Sequence, residues 1–102
     1  MLKELYRIKK KIYDVTIFQT PEFRQKKGFQ QVYRMEIEGG THQECLNNVF
    51  KQFNVSDCIP NDYPGRFIGT GDIVYIDEGR QGQYYYQLKP GGWININRIQ
   101  VR

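Results

Sequence analysis

"GRFIGTGDIVYIDEG", residues 65–79, sets two closely spaced glycines and an acid ahead of a β-branched run and a further glycine turn. A phosphate-cradling glycine loop needs a strand before the glycines and a helix after them, so that the helix N-terminus holds the phosphate. Here the order is reversed. Gly69-Thr70-Gly71 follows a loop, and the residues after it, Ile73, Val74, Tyr75 and Ile76, favour a strand. No Lys-Ser or Lys-Thr pair follows the glycines. The stretch reads as a turn centred on Gly71 and Asp72 that feeds a strand, with Asp72 placed to accept hydrogen bonds from turn amides.

Downstream, "QYYYQLK" and "WININRIQV" are short strands separated by the glycine turns "EGRQG" and "PGG", the pattern of a meander. Upstream, "IYDVTIFQT" alternates Tyr13, Val15 and Ile17 with Asp14, Thr16 and Phe18. "FQQVYRMEIEGG" places Tyr33, Met35 and Ile37 on one face. Phe18, on the second face of its strand, implies that both faces are partly covered. Between the two, Thr20, Pro21, Glu22 and Gly28 predict a short helix over about 21–27. Leu2, Leu5 and Ile8 suggest another at the N-terminus.

The clearest helix signal is "THQECLNNVFKQF". Thr41 and Glu44 form an S/T-x-x-E capping box, and Cys45, Leu46, Val49, Phe50 and Phe53 line up as one apolar stripe. The expectation is an α+β domain spanning residues 1–102. An antiparallel sheet of about five strands packs against one main helix at about 42–53.

The chain has 102 residues, 39% of them hydrophobic and 25% charged, and no apolar run of the roughly 18 residues that a membrane span needs. With no signal-peptide pattern at the N-terminus, cytoplasmic residence is the expectation. Two cysteines and a single histidine fall short of a closed zinc site, so Cys45 and Cys58 read as structural thiols. The net charge of +4 conceals a segregation: +6 over residues 1–34, −6 over 35–79 and +4 over 80–102. Either the fold keeps these segments apart and creates a steering field, or they pair with one another.

"GTGDIVYID", the glycine turn after it, "YYYQL" and "GGWININ" together resemble the YodL-like domain family, and "YDVTIFQT…FR…GF" is compatible with it. The resemblance implies a small cytoplasmic accessory protein of a conjugative element, plasmid or phage, of a kind that blunts a host defence system. It supplies no catalytic residues.

The chemistry the residues allow is limited. His42 and Cys45 lie three apart on the helix, but Cys45 belongs to the apolar stripe. Asp72 and Asp77 bracket a strand and stand about 16 Å apart at about 3.3 Å per residue, too far to share a metal. Ser56, the only serine, has no nucleophile-elbow context. The expectation is therefore no catalytic residue, no metal and no cofactor. A nuclease inhibitor of anti-CRISPR or antirestriction type, acting by protein binding, is the leading reading. An RNA- or DNA-binding protein using basic and aromatic side chains is the alternative. Candidate partner-binding residues are Lys9, Lys10, Lys11, Tyr63, Arg66, Tyr85 and Trp93. Tyr85 must point opposite to Tyr84 and Tyr86, while Trp93 is assignable to either core or interface.

Overall fold

β1 (Lys11–Gln19) is the strand on which the sheet is assembled, because its register neighbours come from both ends of the chain. β2 (Gln30–Gly39) pairs with one side of it, and β3 (Ile73–Asp77) pairs with the other, both antiparallel. β4 (Gln83–Lys89) and β5 (Gly92–Ile96) continue outward as hairpins, giving the order β2-β1-β3-β4-β5. The helix α1 (His42–Asn54) and the loop after it carry the chain from β2 across to β3. This computed structural model describes residues 11–23 and 25–101; the N-terminal helix expected around Leu2–Ile8 lies outside them.

Strand alternation creates two unlike faces. On the helix side, Tyr13, Val15, Ile17, Ile37, Val74 and Ile76 pack with Cys45, Leu46, Val49 and Phe53 of α1 into one buried cluster. Tyr33, Met35, Tyr84, Tyr86, Leu88 and Trp93 border it, half-buried. Phe50 departs from the expected stripe and is 39% exposed. At about 100° per residue it sits roughly 85° from the centre of the arc formed by Cys45, Leu46, Val49 and Phe53, so it falls on the flank. On the opposite face, Ile73 is fully buried but stands outside that cluster, in register between Phe18 and Gln87.

The start of α1 is set locally. Thr41 has extended backbone, and its hydroxyl oxygen accepts from the Glu44 amide at 3.1 Å. Gly39 is needed there for space: a Cβ would lie 2.8 Å from the Cys45 backbone nitrogen, so any side chain would push the end of β2 off the helix. At the other end, the Asn54 amide bonds Ile68 in both directions, at 2.9 and 2.7 Å, and clasps the loop to the helix.

The helix expected over 21–27 is absent. The described residues of that segment form bends and a turn. The Thr20 hydroxyl donates to the Glu22 carbonyl at 2.6 Å instead of capping an amide. The Gln25 side chain accepts from the Glu22 amide and donates to the Lys27 carbonyl. The Thr20 hydroxyl thus occupies the Glu22 carbonyl that a helix would use, and a helix this short is marginal.

The stretch 69–72 is a β-turn, with the Asp72 amide donating to the Gly69 carbonyl at 3.0 Å and Gly71 at φ +99°. A positive φ at the third turn position is where glycine is demanded. The Gly71 amide then bonds the Leu88 carbonyl, extending the ladder to β4. Two substitutions test this packing. Thr41→Ala is expected to cost about 1 kcal/mol through the lost cap. Phe53→Ala is expected to cost about 3–5 kcal/mol through the cavity it leaves, both read by urea denaturation.

Candidate functional site

The face of the sheet away from α1 is bordered by the short 3-10 turn Arg98–Val101 and carries a band of aromatic and charged side chains. The register lays them out in rows across the strands. Arg34, Thr16, Tyr75, Tyr85 and Ile96 form one row. Tyr75 and Tyr85 stack with centroids 4.6 Å apart and planes at 29°, and Phe18 leans toward Tyr85 at 6.4 Å. A cleft of about 790 Å³ runs along this row, bordered by Asp14, Arg34, Asp77 and Arg98. Arg34 grips Asp14 with two parallel bonds, Nε–Oδ1 at 2.9 Å and Nη2–Oδ2 at 2.6 Å. The Gly79 amide and the Gln83 side chain both donate to Asp77 and hold its carboxyl below the usual range. Burial, reinforced by the Asp77 charge, raises the Tyr75 phenol.

The expected site residues are distributed over several places. Tyr85 stands on this open face. Trp93 lies on the other, half-buried against the core, so the thickness of the sheet separates the two. Tyr63 and Arg66 are brought together, but turned inward. The Tyr63 hydroxyl donates to the Arg66 carbonyl at 2.7 Å, and Arg66 Nη1 donates to the Thr20 carbonyl at 2.6 Å. Beneath them Asp72, 3% exposed, accepts from Gln19 Nε2 and from the Gly69 amide, each at 3.0 Å, with Arg66 Nη2 at 3.5 Å. Burial raises the Asp72 carboxyl, and these donors act against it. Lys11 is exposed at the start of β1; Lys9 and Lys10 lie outside the described residues.

Phe18, Tyr75 and Arg34 escaped the sequence reading. Alternation assigns their face, but only the pairing of β1 with β3 and β4 brings them beside Tyr85. Also missed was a polar cluster around the single histidine. His42 Nε2 lies 2.8 Å from Glu78 Oε2, and Nδ1 lies 2.6 Å from the Tyr86 hydroxyl. A carboxylate only accepts, so with neutral His42 the proton sits on Nε2 and Nδ1 accepts from Tyr86. The Tyr13, Tyr84 and Tyr86 rings surround the imidazole at centroid distances of 4.6–5.6 Å. Burial pushes the Tyr86 phenol up, which suits a donor better than a nucleophile. The cluster ties α1 to β4 and to the turn after β3.

Cys45, three residues from His42, is fully buried, and burial pushes its thiol up to about 12. A thiol in that state is protonated at neutral pH and unreactive. Among the described residues no group of three or more His, Cys, Asp or Glu side chains could hold a metal.

Three measurements follow. Iodoacetamide at neutral pH is expected to label exposed Cys58 in the native chain, and Cys45 only after unfolding. Between pH 9 and 12 the folded chain keeps the Cys45 proton that an unfolded chain has lost, so stability falls as pH rises through that window. Cys45→Val is expected to reduce the slope of that limb in urea melts, leaving the part due to the raised phenols, Tyr63 at about 12 and Tyr13, Tyr33, Tyr75 and Tyr86. A double-mutant cycle of His42→Ala and Tyr86→Phe is expected to show a coupling of about 0.5–3 kcal/mol; additive losses would mean that the 2.6 Å bond contributes nothing.

Comparison with known proteins places this geometry in a family. No solved structure matches the chain. The chain is 52% identical over 102 residues to the Bacillus subtilis (strain 168) protein named "Uncharacterized protein YodL", covering 100% of this chain and 98% of that one. The family model for the YodL-like domain matches residues 2–96, so the chain belongs to the YodL-like domain family.

Proposed function

We propose that this chain is a binding protein with no chemistry of its own, and that the open sheet face recognises another protein. The observation that carries the reading is the cleft along the stacked Tyr75–Tyr85 pair, bordered by two carboxylates and two arginines. Aromatic and arginine side chains around a concave centre are the residue types that dominate protein interfaces. The same cleft is poorly suited to nucleic acid. Its charges balance, one arginine is already engaged by Asp14, and each tyrosine of the stack spends one ring face on the other. A phosphate backbone asks for an unpaired basic stripe, and a base asks for a free aromatic face.

Within that reading, the family resemblance nominates a target class: a nuclease complex of a host defence system, blocked by a protein carried on a mobile element. Cytoplasmic action fits such a target. No helix among the described residues is long and apolar enough to cross a membrane.

The test has two arms. Purified protein is titrated into a guide-RNA-dependent nuclease with its RNA, following target cleavage and RNA integrity together. Loss of cleavage near equal concentrations with intact RNA is the expected result for this target class. Degraded RNA at substoichiometric protein would show an activity and end the non-catalytic reading. In the second arm, a photo-crosslinker at Tyr85 is compared with one at Phe50 in cells. The face is supported by adducts that form only at position 85 and that weaken about tenfold or more on Phe18→Ala. Tight binding of naked RNA or DNA with a steep salt dependence would transfer the function to nucleic acid.

A further inference from the structure

The open face is chemically graded along the strands, and the gradient specifies the kind of protein segment it fits. Two residues toward the N-terminal end of β1 from the tyrosine row lies a second row, in which Glu36, Asp14 and Asp77 are consecutive cross-strand neighbours. Neighbours in a row stand about 4.5–5.5 Å apart between Cβ atoms, and like charges in such pairs repel. Arg34 is the one described cation that engages the row, and it is committed to Asp14. Glu36, and Glu38 one row further along, are exposed, and their carboxylates make no hydrogen bond or ion pair with a described residue. The row borders a shallow pocket of about 610 Å³ in which, among the described residues, Asp14, Glu36 and Asp77 face one lysine, Lys11, while Glu78 on its rim is engaged by His42. Ile12, 57% exposed, forms an apolar lip. A chain of net charge +4 thus concentrates negative charge at one end of its open face.

We propose that the face takes a basic segment of a partner protein, seating a Lys or Arg on the Glu36–Asp14–Asp77 row and an apolar or aromatic side chain on Tyr75 and Tyr85; this rests on the reading of the open face as protein-binding. The two rows are two residues apart along the strands, about 7 Å. That is the spacing of i and i+2 in an extended segment. The carboxylates supply charge complementarity and register, and the tyrosines supply buried area. The same carboxylates repel a phosphate backbone, which separates this occupant from RNA or DNA.

The test uses the full chain, ¹⁵N-labelled, titrated with a synthetic peptide that repeats Lys-Ser-Phe-Ser, so that Lys and Phe stand two residues apart on one face of the extended segment, and with its Glu-for-Lys counterpart. The expected result is that the basic peptide shifts the amides of β1, β3 and β4 around both rows while the acidic one does not. Glu36→Gln with Glu38→Gln should weaken the basic peptide about threefold or more, the loss expected of two exposed ion pairs. Glu22→Gln, an exposed acid on the 20–28 turn, should have no effect. If Tyr85→Ala weakens binding but the Glu36/Glu38 pair does not, the basic-segment proposal is overturned while the binding face stands. If neither variant changes binding, both are overturned. If Lys9→Gln with Lys10→Gln raises the peptide's affinity, the row belongs to the chain's own N-terminal lysines and the partner assignment is overturned. Preference for single-stranded RNA over the basic peptide would overturn it as well.

Discussion

The buried carboxylate of Asp72 is the point on which the rest of the structure depends. A buried charge is tolerated only when it is paired and hydrogen-bonded, and Asp72 meets the requirement with Gln19, the Gly69 amide and Arg66. Gln19 ends β1, Gly69 ends the long loop, and Asp72 itself leads into β3. The loop therefore returns to one place, the C-terminal end of β1, and β3 starts in register beside it. Gln19 reinforces this by bonding both the amide and the carbonyl of Arg66. The same loop, Val55 to Asp72, is held further by the Asn54 clasp, by the Tyr33 hydroxyl on Asp62 and by Tyr63 packed on Phe53.

Once β3 lies against β1, the two faces of the sheet acquire separate tasks. The face toward α1 is committed to packing, down to half-buried Trp93 and the His42 cluster that ties the helix to β4. Three consecutive tyrosines divide between the faces: Tyr84 and Tyr86 surround His42, while Tyr85 stacks on Tyr75 outside. The hydrogen bonds of His42 are satisfied within the fold, which gives the only histidine a structural role at the junction of three elements. The other face holds its aromatic surface on strands, with Tyr75 and Tyr85 stacked. Side chains on strands are more precisely placed than side chains on loops.

The charge segregation of the sequence is redistributed by the strand register. The ion pairs among the described residues fall within single segments, Arg34 with Asp14 inside 1–34 and Arg66 with Asp72 inside 35–79. The antiparallel register also gathers acids from two segments, Glu36, Asp14 and Asp77 on three strands, at one end of the sheet. That row is a cost to stability that the fold carries on a surface, where solvent screening keeps it small.

What the sequence determined by itself is what depends on neighbours one to four residues away. The alternation of Tyr13, Val15 and Ile17, the Thr41 cap, the start of α1 and the turn at Gly69–Asp72 are such features, because each rests on backbone geometry and local hydrogen bonds. The YodL-like membership was legible in the same local motifs. The segment after Thr20 shows the limit of local reading: cap, proline and glycine signals all pointed to a helix, yet competing side-chain bonds from Thr20 and Gln25 made turns. Only the tertiary structure decided that β1 lies between β2 and β3, that Phe50 falls outside the core arc, and that Tyr63 and Arg66 turn inward. It also decided that Phe18, Tyr75 and Tyr85 share one cleft. These are pairings between residues tens of positions apart, set by where the loop closes and by which strand edges are free. Spacing along the chain carries no record of that choice.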